Sequence, residues 1–292
     1  MSKSGNIKCW IEAMRLRTLP VSVAGVFAAS GFALDASAFK WLPALLCLIF
    51  AVLAQIASNF ANEYYDFKAG LDRPGRVGPR RGVTEGDITP RAMCRATFGG
   101  LALACIVGLS LVFWGGWWLI LAGIIIALAV LAYSTGPYPL SRHALGEVAV
   151  IFFFGIIPVN LTFYIQAGFF SLTTFMGSMA IGLMGADVLL VNNYRDADDD
   201  RASGKTTLAV KFGRRFSSTL YLINGWLAVT LMTPYWLTLP LPWLAVPAVF
   251  LFLHTTLWLK VMSRSGVALN PLLGMTAVLM LAYSIGVLLS AA

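Results

Sequence analysis

The sequence predicts an all-α, polytopic membrane protein: nine transmembrane helices around a central cavity, with two Asp-rich cytoplasmic loops. Of the 292 residues, 59% are hydrophobic and only 12% are charged, which is about half the charged share of a typical soluble domain. Apolar runs recur along the chain, and about 20 apolar residues are enough for a helix to cross the hydrocarbon core. These two observations exclude a soluble globular domain and a disordered chain.

Hydropathy divides the chain into nine apolar stretches. In chain order, the predicted spans are 19–34, 41–61, 97–114, 117–134, 145–166, 172–192, 216–235, 241–260 and 269–289. Only Gly115 and Gly116 lie between the third and fourth spans, which predicts a tight turn there. We treat residues 1–292 as a single integral-membrane domain.

The positive charges predict the topology. With the N-terminus in the cytoplasm and the C-terminus outside, 20 of the 21 Lys and Arg residues fall in cytoplasmic segments or at their boundary, and only Lys40 falls outside. This distribution obeys the positive-inside rule. Merging the third and fourth spans would move the cations at 201–215 to the outside, so we predict nine spans. The net charge of +8 then indicates basic loops at a membrane surface rather than nucleic-acid binding.

Nine of the 13 acidic residues lie in two of these cytoplasmic loops. The first acidic cluster follows the second span and consists of Asn62, Glu63, Asp66 and Asp72. On a helix, the spacing places Asp66 on one face with the three amides that precede it, at positions 55, 59 and 62. A polar stripe that enters the bilayer must face the interior of a bundle or a cavity.

The second acidic cluster follows the sixth span and consists of Asn192, Asp196 and Asp200, which are spaced by four residues. Asn193 is three residues before Asp196 and could share that face in place of Asn192. A run such as Asp198–Asp200 is in isolation as often a solvated loop as a site. Here, however, two apolar helices are each followed by an asparagine and then by carboxylates. Such oxygen ligands suit Mg²⁺, which binds one or two carboxylates together with substrate phosphates.

Lysine and arginine residues interleave with the acids. The candidates for contact with a diphosphate are Lys68, Arg80, Arg81, Arg195 and Lys205, together with Arg17 before the first span. Some of these cations serve topology only. Acids and bases together, beside a polar stripe, fit a metal-bridged diphosphate better than a plain lipid-surface patch.

At the two clusters, the sequence resembles the UbiA superfamily of intramembrane prenyltransferases. The first motif of that family is N-D-x-x-D followed by a further Asp, and it is matched by residues 62–66 and Asp72, with Glu63 in place of the usual Asp. Within the family, the likeness is closest to the branch that prenylates 1,4-dihydroxy-2-naphthoate. The segments that carry this likeness include Leu16–Pro20, Tyr133–Leu140, Asn192–Asp196 and Gly204–Leu208. The resemblance covers roughly Ala13 to Gly213.

The resemblance implies a Mg²⁺-dependent transfer from a polyprenyl diphosphate to an aromatic acid in a bacterial inner membrane. For the naphthoate, it implies loss of CO₂ and formation of a demethylmenaquinol for menaquinone biosynthesis. The implied metal ligands are Asn62, Asp66, Asp72, Asn192, Asp196 and Asp200, with Glu63 added although its side chain is one methylene longer. The residues expected closest to the chemistry are Asp66, Asp196, Tyr64 and Tyr133. The aromatic faces of the two tyrosines would stabilise an allylic cation. The expected acceptor contacts are Arg142, Glu147 and Tyr138. Apart from the substrates and the bilayer, we expect no nucleic acid, and no protein partner can be inferred.

Two alternatives remain open at this stage. The acceptor could be 4-hydroxybenzoate, homogentisate, haem or a chlorophyllide, because the acidic motifs are shared across the family. A different class is a cation-binding transporter, which would carry charges along a path through the midplane of the membrane. The acids instead gather on one side of the predicted bundle.

We expect separate roles for three polar residues outside the clusters. Asp187 is nine residues before Asp196 and therefore about 180° around the helix, so we expect a hydrogen-bonded structural acid. His254 is expected to be a packing residue. Glu147 is expected either to stabilise a helix N-terminus or to contact the acceptor.

Overall fold

The chain folds into an all-helical bundle. The structure is a computed structural model that describes residues 7–75 and 77–292. Residues 1–6 and Arg76, which belong to predicted cytoplasmic segments, lie outside the described residues. The helices are α1 (Ile7–Met14), α2 (Leu19–Asp35), α3 (Trp41–Lys68), α4 (Pro90–Ser110), α5 (Val112–Gly115), α6 (Trp118–Ala132), α7 (Gly146–Val150), α8 (Ile157–Ala167), α9 (Leu172–Ala202), α10 (Leu208–Trp236), α11 (Ala245–Met262) and α12 (Asn270–Ser290).

Each of the nine predicted stretches is helical over most of its length in the structure. Across residues 7–75 and 77–292, seven segments are long and apolar enough to cross a membrane. These segments are Ile7–Asp35, Trp41–Lys68, Pro90–Gly115, Gly146–Ala167, Leu172–Ala202, Leu241–Met262 and Gly266–Ser290. The remaining two predicted spans correspond to α6, an apolar helix of only 15 residues, and to α10, which is long but carries Lys211, Arg214, Arg215 and Asn224.

The acidic clusters lie on helices, which corrects the expectation of Asp-rich loops. The helix α3 continues seven residues past its predicted end, to Lys68, and α9 continues ten residues, to Ala202. The first cluster up to Asp66 and the whole second cluster are therefore helical, and Asp72 alone follows in a loop. The helices can continue because their polar side chains alternate between a buried, partnered face and an exposed face.

Glycines mark two changes of direction that the helices require. Gly116 has φ +86° and separates α5 from α6, which confirms the predicted turn between the third and fourth spans. Gly213 has φ +88° and breaks the helical geometry of α10 just after its start. Both values lie in the left-handed region, where a residue without Cβ is favoured. The fifth span is also irregular, because a π-helical turn (Ile151–Ile156) joins α7 to α8.

The core surrounds α9, while the opposite helices expose apolar side chains. Buried residues of α2, α8, α9, α10, α11 and α12 form the largest apolar cluster, which includes Met184, Trp236 and Met280. On α6, only Leu119 is buried, and Leu128 is 61% exposed. Contiguous exposed apolar surface of this kind suits contact with lipid. Together with the seven membrane-length helices, it identifies an integral membrane protein.

A buried polar network joins α9, α10 and α11. The Asp187 carboxylate lies 2.9 Å from His254 Nε2 and accepts a hydrogen bond of 2.9 Å from Asn224 Nδ2. The Tyr221 ring stacks on the His254 ring with centroids 4.4 Å apart. These contacts confirm that Asp187 is a hydrogen-bonded structural acid. They also show that His254 packs among aromatic rings as its partner.

Candidate active site

The first acidic cluster lies on the inner face of α3, where the four members of the predicted polar stripe are buried. Asn62 Nδ2 donates to Asp66 Oδ2 at 3.2 Å and to Ser134 Oγ at 3.3 Å. Asn62 Oδ1 accepts from Arg15 at 2.7 Å and from Arg81 at 3.0 Å. The amide of Asn62 therefore holds together α3, the segment before α2 and two loops.

Three cations surround the fully buried carboxylate of Asp66. Lys205 Nζ lies 2.8 Å from Oδ2, Arg142 Nη2 lies 3.5 Å from Oδ1, and Arg81 Nη2 lies 4.0 Å from Oδ2. A buried carboxylate is stable only when it is paired in this way. The same cations concentrate positive charge at one point inside the protein, where it can attract an anionic ligand.

The second acidic cluster divides into a buried and an exposed set. Asp196 and Asp200 are buried, whereas Asp198 and Asp199 are exposed. Asp196 accepts two hydrogen bonds from its neighbour Arg195, at 2.6 and 2.8 Å. The helical period therefore determines which of the four aspartates face the interior. These are Asp196 and Asp200, the two that the spacing predicts.

Arg195 binds groups of the protein itself, and its contact with a diphosphate stays a prediction. Besides Asp196, it donates to Asn192 Oδ1 at 2.8 Å and to Asn270 Oδ1 at 2.9 Å. All three guanidinium nitrogens are engaged. Because Asn270 is the first residue of α12, the side chain clamps α9 to α12.

The loop that follows the second cluster reaches the first cluster. Lys205, in the loop after α9, forms its ion pair with Asp66 of α3. In the same region, Arg73 Nη2 donates to the Ala202 carbonyl at 3.0 Å. The Thr206 N–H donates to the Arg142 carbonyl at 3.1 Å. The loops after the second, fourth and sixth predicted spans therefore meet at one place.

Several predicted site residues lie at the surface instead. Arg17 and Lys68 are exposed. Arg80 pairs with Asp87 and lies 3.8 Å from Glu12. The aromatic ring of Tyr138 is more than half exposed and stacks on His143, with centroids 3.7 Å apart. The three cations around Asp66 are Arg81, which is buried, and Arg142 and Lys205, which are partly exposed.

The two tyrosines expected closest to the chemistry occupy different environments. Tyr64 packs against the apolar cluster that contains Phe60 and Met93. It is two residues beyond Asn62, which turns it about 200° away from the polar face of α3. Tyr133 directly precedes Ser134, the partner of Asn62, and it lines an apolar cavity beside the clusters. Of the pair, Tyr133 is the aromatic residue next to the clusters.

Two glutamates near the site bind protein groups. Glu63 is buried, and its Oε1 accepts the N–H of Val83 at 3.0 Å. It therefore anchors a backbone loop, and the metal contact expected from its place in the motif stays a prediction. Glu147 is also buried, and its Oε1 accepts from Asn193 Nδ2 at 2.8 Å.

Sequence reasoning missed Arg15 and Asn270. Arg15 donates to Asn62 from a left-handed backbone conformation with φ +53°. Its charge was assigned to topology, although its position just before the first span was a signal that it could reach a site at the membrane surface. Nothing in the local sequence around Asn270 connects it to Arg195. Of the two amides that the spacing left open, Asn192 accepts from Arg195 and Asn193 donates to Glu147.

An apolar cavity of about 420 Å³ begins beside the clusters. Gln55 of the polar stripe and Tyr133 lie on its wall, which places its polar part next to Asn62 and Ser134. The rest of the wall is mostly apolar and comes from α2 to α8 and the π-helical turn. A charged end followed by a long apolar end is the shape that an amphiphilic ligand with an anionic head requires.

The oxygen donors of the two clusters suit a hard cation in combination with phosphate. Each helix offers an amide oxygen and one or two buried carboxylates, the number that Mg²⁺ uses when substrate phosphates and water complete its shell. Over the described residues, no group of three or more His, Cys, Asp or Glu side chains is arranged to hold an ion by itself. The donor set thus fits a metal that is shared with a ligand.

Two bacterial proteins are similar in sequence to this chain over most of their length. It is 37% identical over 279 residues to 1,4-dihydroxy-2-naphthoate octaprenyltransferase of Mycobacterium tuberculosis, covering 95% of this chain and 94% of the relative. It is 38% identical over 228 residues to the protein of the same name in Escherichia coli, covering 74% and 73%.

Solved structures and a family model agree with these relatives. A UbiA homolog from Aeropyrum pernix K1 has a TM-score of 0.71 at 16% identity, covering 92% of this chain and 97% of that one. A UbiA homolog from Archaeoglobus fulgidus bound to GPP and Mg²⁺ has a TM-score of 0.68 at 17% identity, covering 96% and 99%. At such identities the likeness concerns the fold. The model of the UbiA prenyltransferase family matches residues 20–285, and the chain therefore belongs to that family.

Proposed function

We propose that the protein transfers a polyprenyl group from polyprenyl diphosphate to 1,4-dihydroxy-2-naphthoate, with loss of CO₂, and so forms a demethylmenaquinol. One observation carries the donor half of this proposal: two buried acidic clusters, joined by the Lys205–Asp66 ion pair, stand at the polar end of an apolar cavity. The acceptor rests on the names of the two bacterial relatives.

The clusters and their cations would bind the diphosphate. Mg²⁺ would be held by Asn62, Asp66, Asp72, Asn192, Asp196 and Asp200, and would neutralise the charge that develops on the departing diphosphate. Arg81 is the best-placed cation, because it is buried and its Nη1 has no hydrogen-bond partner within the described residues. A buried guanidinium with a free donor is suited to a phosphate oxygen. Lys205 and Arg142 would add to the positive charge beside it.

The apolar cavity would hold the polyprenyl tail and exclude water from the allylic carbon. The tail gains free energy by leaving water, and the dry wall prevents capture of the allylic cation by water. The face of Tyr133 would stabilise that cation at the polar end of the cavity. The ring carbon that bears the acceptor carboxylate then attacks, and the carboxylate leaves as CO₂.

Three residues beside the clusters would contact the acceptor. Arg142 would pair with the acceptor carboxylate, since its guanidinium lies partly exposed next to Asp66. Glu147, held by Asn193, would accept a hydrogen bond from an acceptor hydroxyl. Tyr138, on the same loop as Arg142, would border the acceptor on the outer side.

We further propose nine spans in a bacterial inner membrane, with the N-terminus and both clusters cytoplasmic and the C-terminus outside. This requires α6 and α10 to cross the membrane together with the seven segments of sufficient length and hydropathy. The support is the charge distribution, because 20 of 21 cations then lie on one side.

The acceptor is tested directly. Purified protein in detergent is given Mg²⁺, a polyprenyl diphosphate and, in separate reactions, 1,4-dihydroxy-2-naphthoate, 4-hydroxybenzoate or homogentisate. Mass spectrometry should find the decarboxylated, prenylated quinol from the naphthoate alone. Equal prenylation of another acid, or none of the naphthoate, contradicts the proposal.

The cavity is tested by filling it. Gly123 of α6 lines the cavity, and a Cβ added there meets nothing within 4 Å, so Gly123→Leu would project into the space for the tail. We expect kcat/KM for a long polyprenyl diphosphate to fall about tenfold, the effect of overpacking by 1–2 kcal/mol. The loss with dimethylallyl diphosphate should be much smaller.

Gly99→Leu is the matched control for this prediction. Gly99 also has open space around it, but it lies on α4 away from the cavity wall. Equal losses for the long and short donors in Gly123→Leu, or the same long-donor loss in Gly99→Leu, would contradict the assignment of the cavity to the tail.

A further inference from the structure

We propose that Glu63 is a positioning residue, which holds the loop that carries Arg81 and does not bind the metal. The inference rests on the proposed function, because it concerns the cation that would meet the diphosphate. The observation behind it is the hydrogen bond from the Val83 N–H to Glu63 Oε1, 3.0 Å long and fully buried.

The loop after Arg81 is a compact turn with its own hydrogen bonds. The Glu85 N–H donates to the Arg81 carbonyl at 2.9 Å. The N–H groups of Asp87 and Ile88 both donate to the Gly82 carbonyl, at 2.8 and 3.0 Å. Inside such a turn the Val83 N–H needs a partner from elsewhere, since an unpaired buried N–H is costly. Glu63 supplies that partner from α3.

Packing presses the turn against Glu63. The side chains of Val83 and Ile88 are buried in the apolar cluster between α1, α3 and α4. A Cβ at Gly82 would lie 2.9 Å from the end of Ile88 and 3.5 Å from Glu63 Oε1. The backbone at this point therefore approaches Glu63 closely, and the position of the turn depends on the length of the side chain at 63.

This turn also fixes the position of the Arg81 guanidinium. Only Gly82 separates Arg81 from the anchored Val83, and the guanidinium is 5% exposed. Its nitrogens lie 3.0 Å from Asn62 Oδ1 and 3.3 Å from Asp72 Oδ2. A shift of the turn would move the guanidinium away from the first cluster. Glutamate has the reach for this anchor, whereas aspartate, one methylene shorter, would leave Val83 unpaired.

Two variants distinguish an anchor from a metal ligand. If Glu63 is an anchor, Glu63→Asp should lose more activity than Glu63→Gln, and if it is a metal ligand, the reverse is expected. Glu63→Gln keeps the length and a carbonyl oxygen that can accept from Val83, but it removes the charge that a metal needs. Glu63→Asp keeps the charge but loses the reach. For an anchor, we expect kcat/KM for the polyprenyl diphosphate to fall less than about threefold in Glu63→Gln. In Glu63→Asp it should fall at least about tenfold, in line with an unsatisfied buried donor.

The experiment measures each variant in three ways. The first is kcat and KM for the donor, in which the loss should lie mainly in KM. The second is the Mg²⁺ concentration at half-maximal rate, which should stay within twofold of the wild type. The third is the affinity for inorganic pyrophosphate with Mg²⁺, by calorimetry, which should fall in Glu63→Asp and not in Glu63→Gln. In an Arg81→Ala background, Glu63→Asp should add less than twofold.

The outcomes are distinguishable. A greater loss in Glu63→Gln than in Glu63→Asp, equal losses in both, no loss in either, or a raised Mg²⁺ requirement in Glu63→Gln overturns the inference. If Glu63→Asp does not fold, the Mg²⁺ requirement of Glu63→Gln tests the inference. A raised requirement contradicts it, and an unchanged requirement supports it. A wild-type protein that binds pyrophosphate but does not prenylate the naphthoate contradicts the proposed function. In that case, the pyrophosphate affinities of the variants still test the role of Glu63.

Discussion

Replacing either Asp66 or Asp196 with asparagine is expected to abolish prenyl transfer, with kcat falling at least about 100-fold, as for loss of a group that stabilises charge in a transition state. Each carboxylate is buried. Asparagine preserves the shape but removes a metal ligand. At Asp66 it also leaves Lys205, Arg142 and Arg81 without their shared anion. The measurement is steady-state formation of the prenylated quinol by purified protein in detergent.

Asp199→Asn is the matched control, because Asp199 lies on the same helix but is exposed. Its kcat should stay within about twofold of the wild type, as for a surface change. The double variant of Asp66 and Asp196 should lose little more than either single variant, since groups that act as a unit are not additive. Full activity in both single variants would rule out the two-cluster site.

The second large effect is expected on stability. His254→Ala or Asp187→Ala should destabilise the protein by about 3–5 kcal/mol, because each leaves its partner buried without a counterpart. Asp187 and His254 are each about 1% exposed or less, and their contact spans α9 and α11, with Asn224 of α10 as the third member. The measurement is thermal unfolding in detergent, followed by the loss of monodisperse protein on size exclusion.

A double-mutant cycle tests the coupling behind this prediction. The variant with both Asp187→Ala and His254→Ala should be less destabilised than the sum of the single variants, since neither partner is then left alone. His143→Ala serves as the comparison, because His143 lies in a partly exposed loop and should change the unfolding temperature little. Strictly additive losses at Asp187 and His254 would mean that the pair is not coupled.

The general plan of the molecule follows from patterns that local physics enforces. Long apolar runs must become helices in a membrane, since no other single segment satisfies its own backbone there. The spacing of Asn62 and Asp66, and of Asp196 and Asp200, predicts shared helix faces, and in the structure these faces are buried. The same periodicity separates exposed Asp198 and Asp199 from their buried neighbours.

The assignment of individual cations could not be made in the same way. Arg80 and Arg81 are adjacent, yet Arg80 pairs with Asp87 near the surface whereas Arg81 reaches Asn62 inside. Arg195 binds Asn270, 75 positions away in the chain. Both outcomes depend on where loops and distant helices come to lie, and the sequence next to these residues contains no information on that.

The sequence by itself therefore determined the membrane class, the helices and the two acidic faces, because these depend on hydropathy and on helical spacing along a single segment. Only the tertiary structure decided which charges share the site. It brought Lys205 to Asp66, Arg15 to Asn62 and Glu63 to the turn of Arg81. A buried charge must be paired, and its partner comes from whichever segment the packing of the helices places beside it.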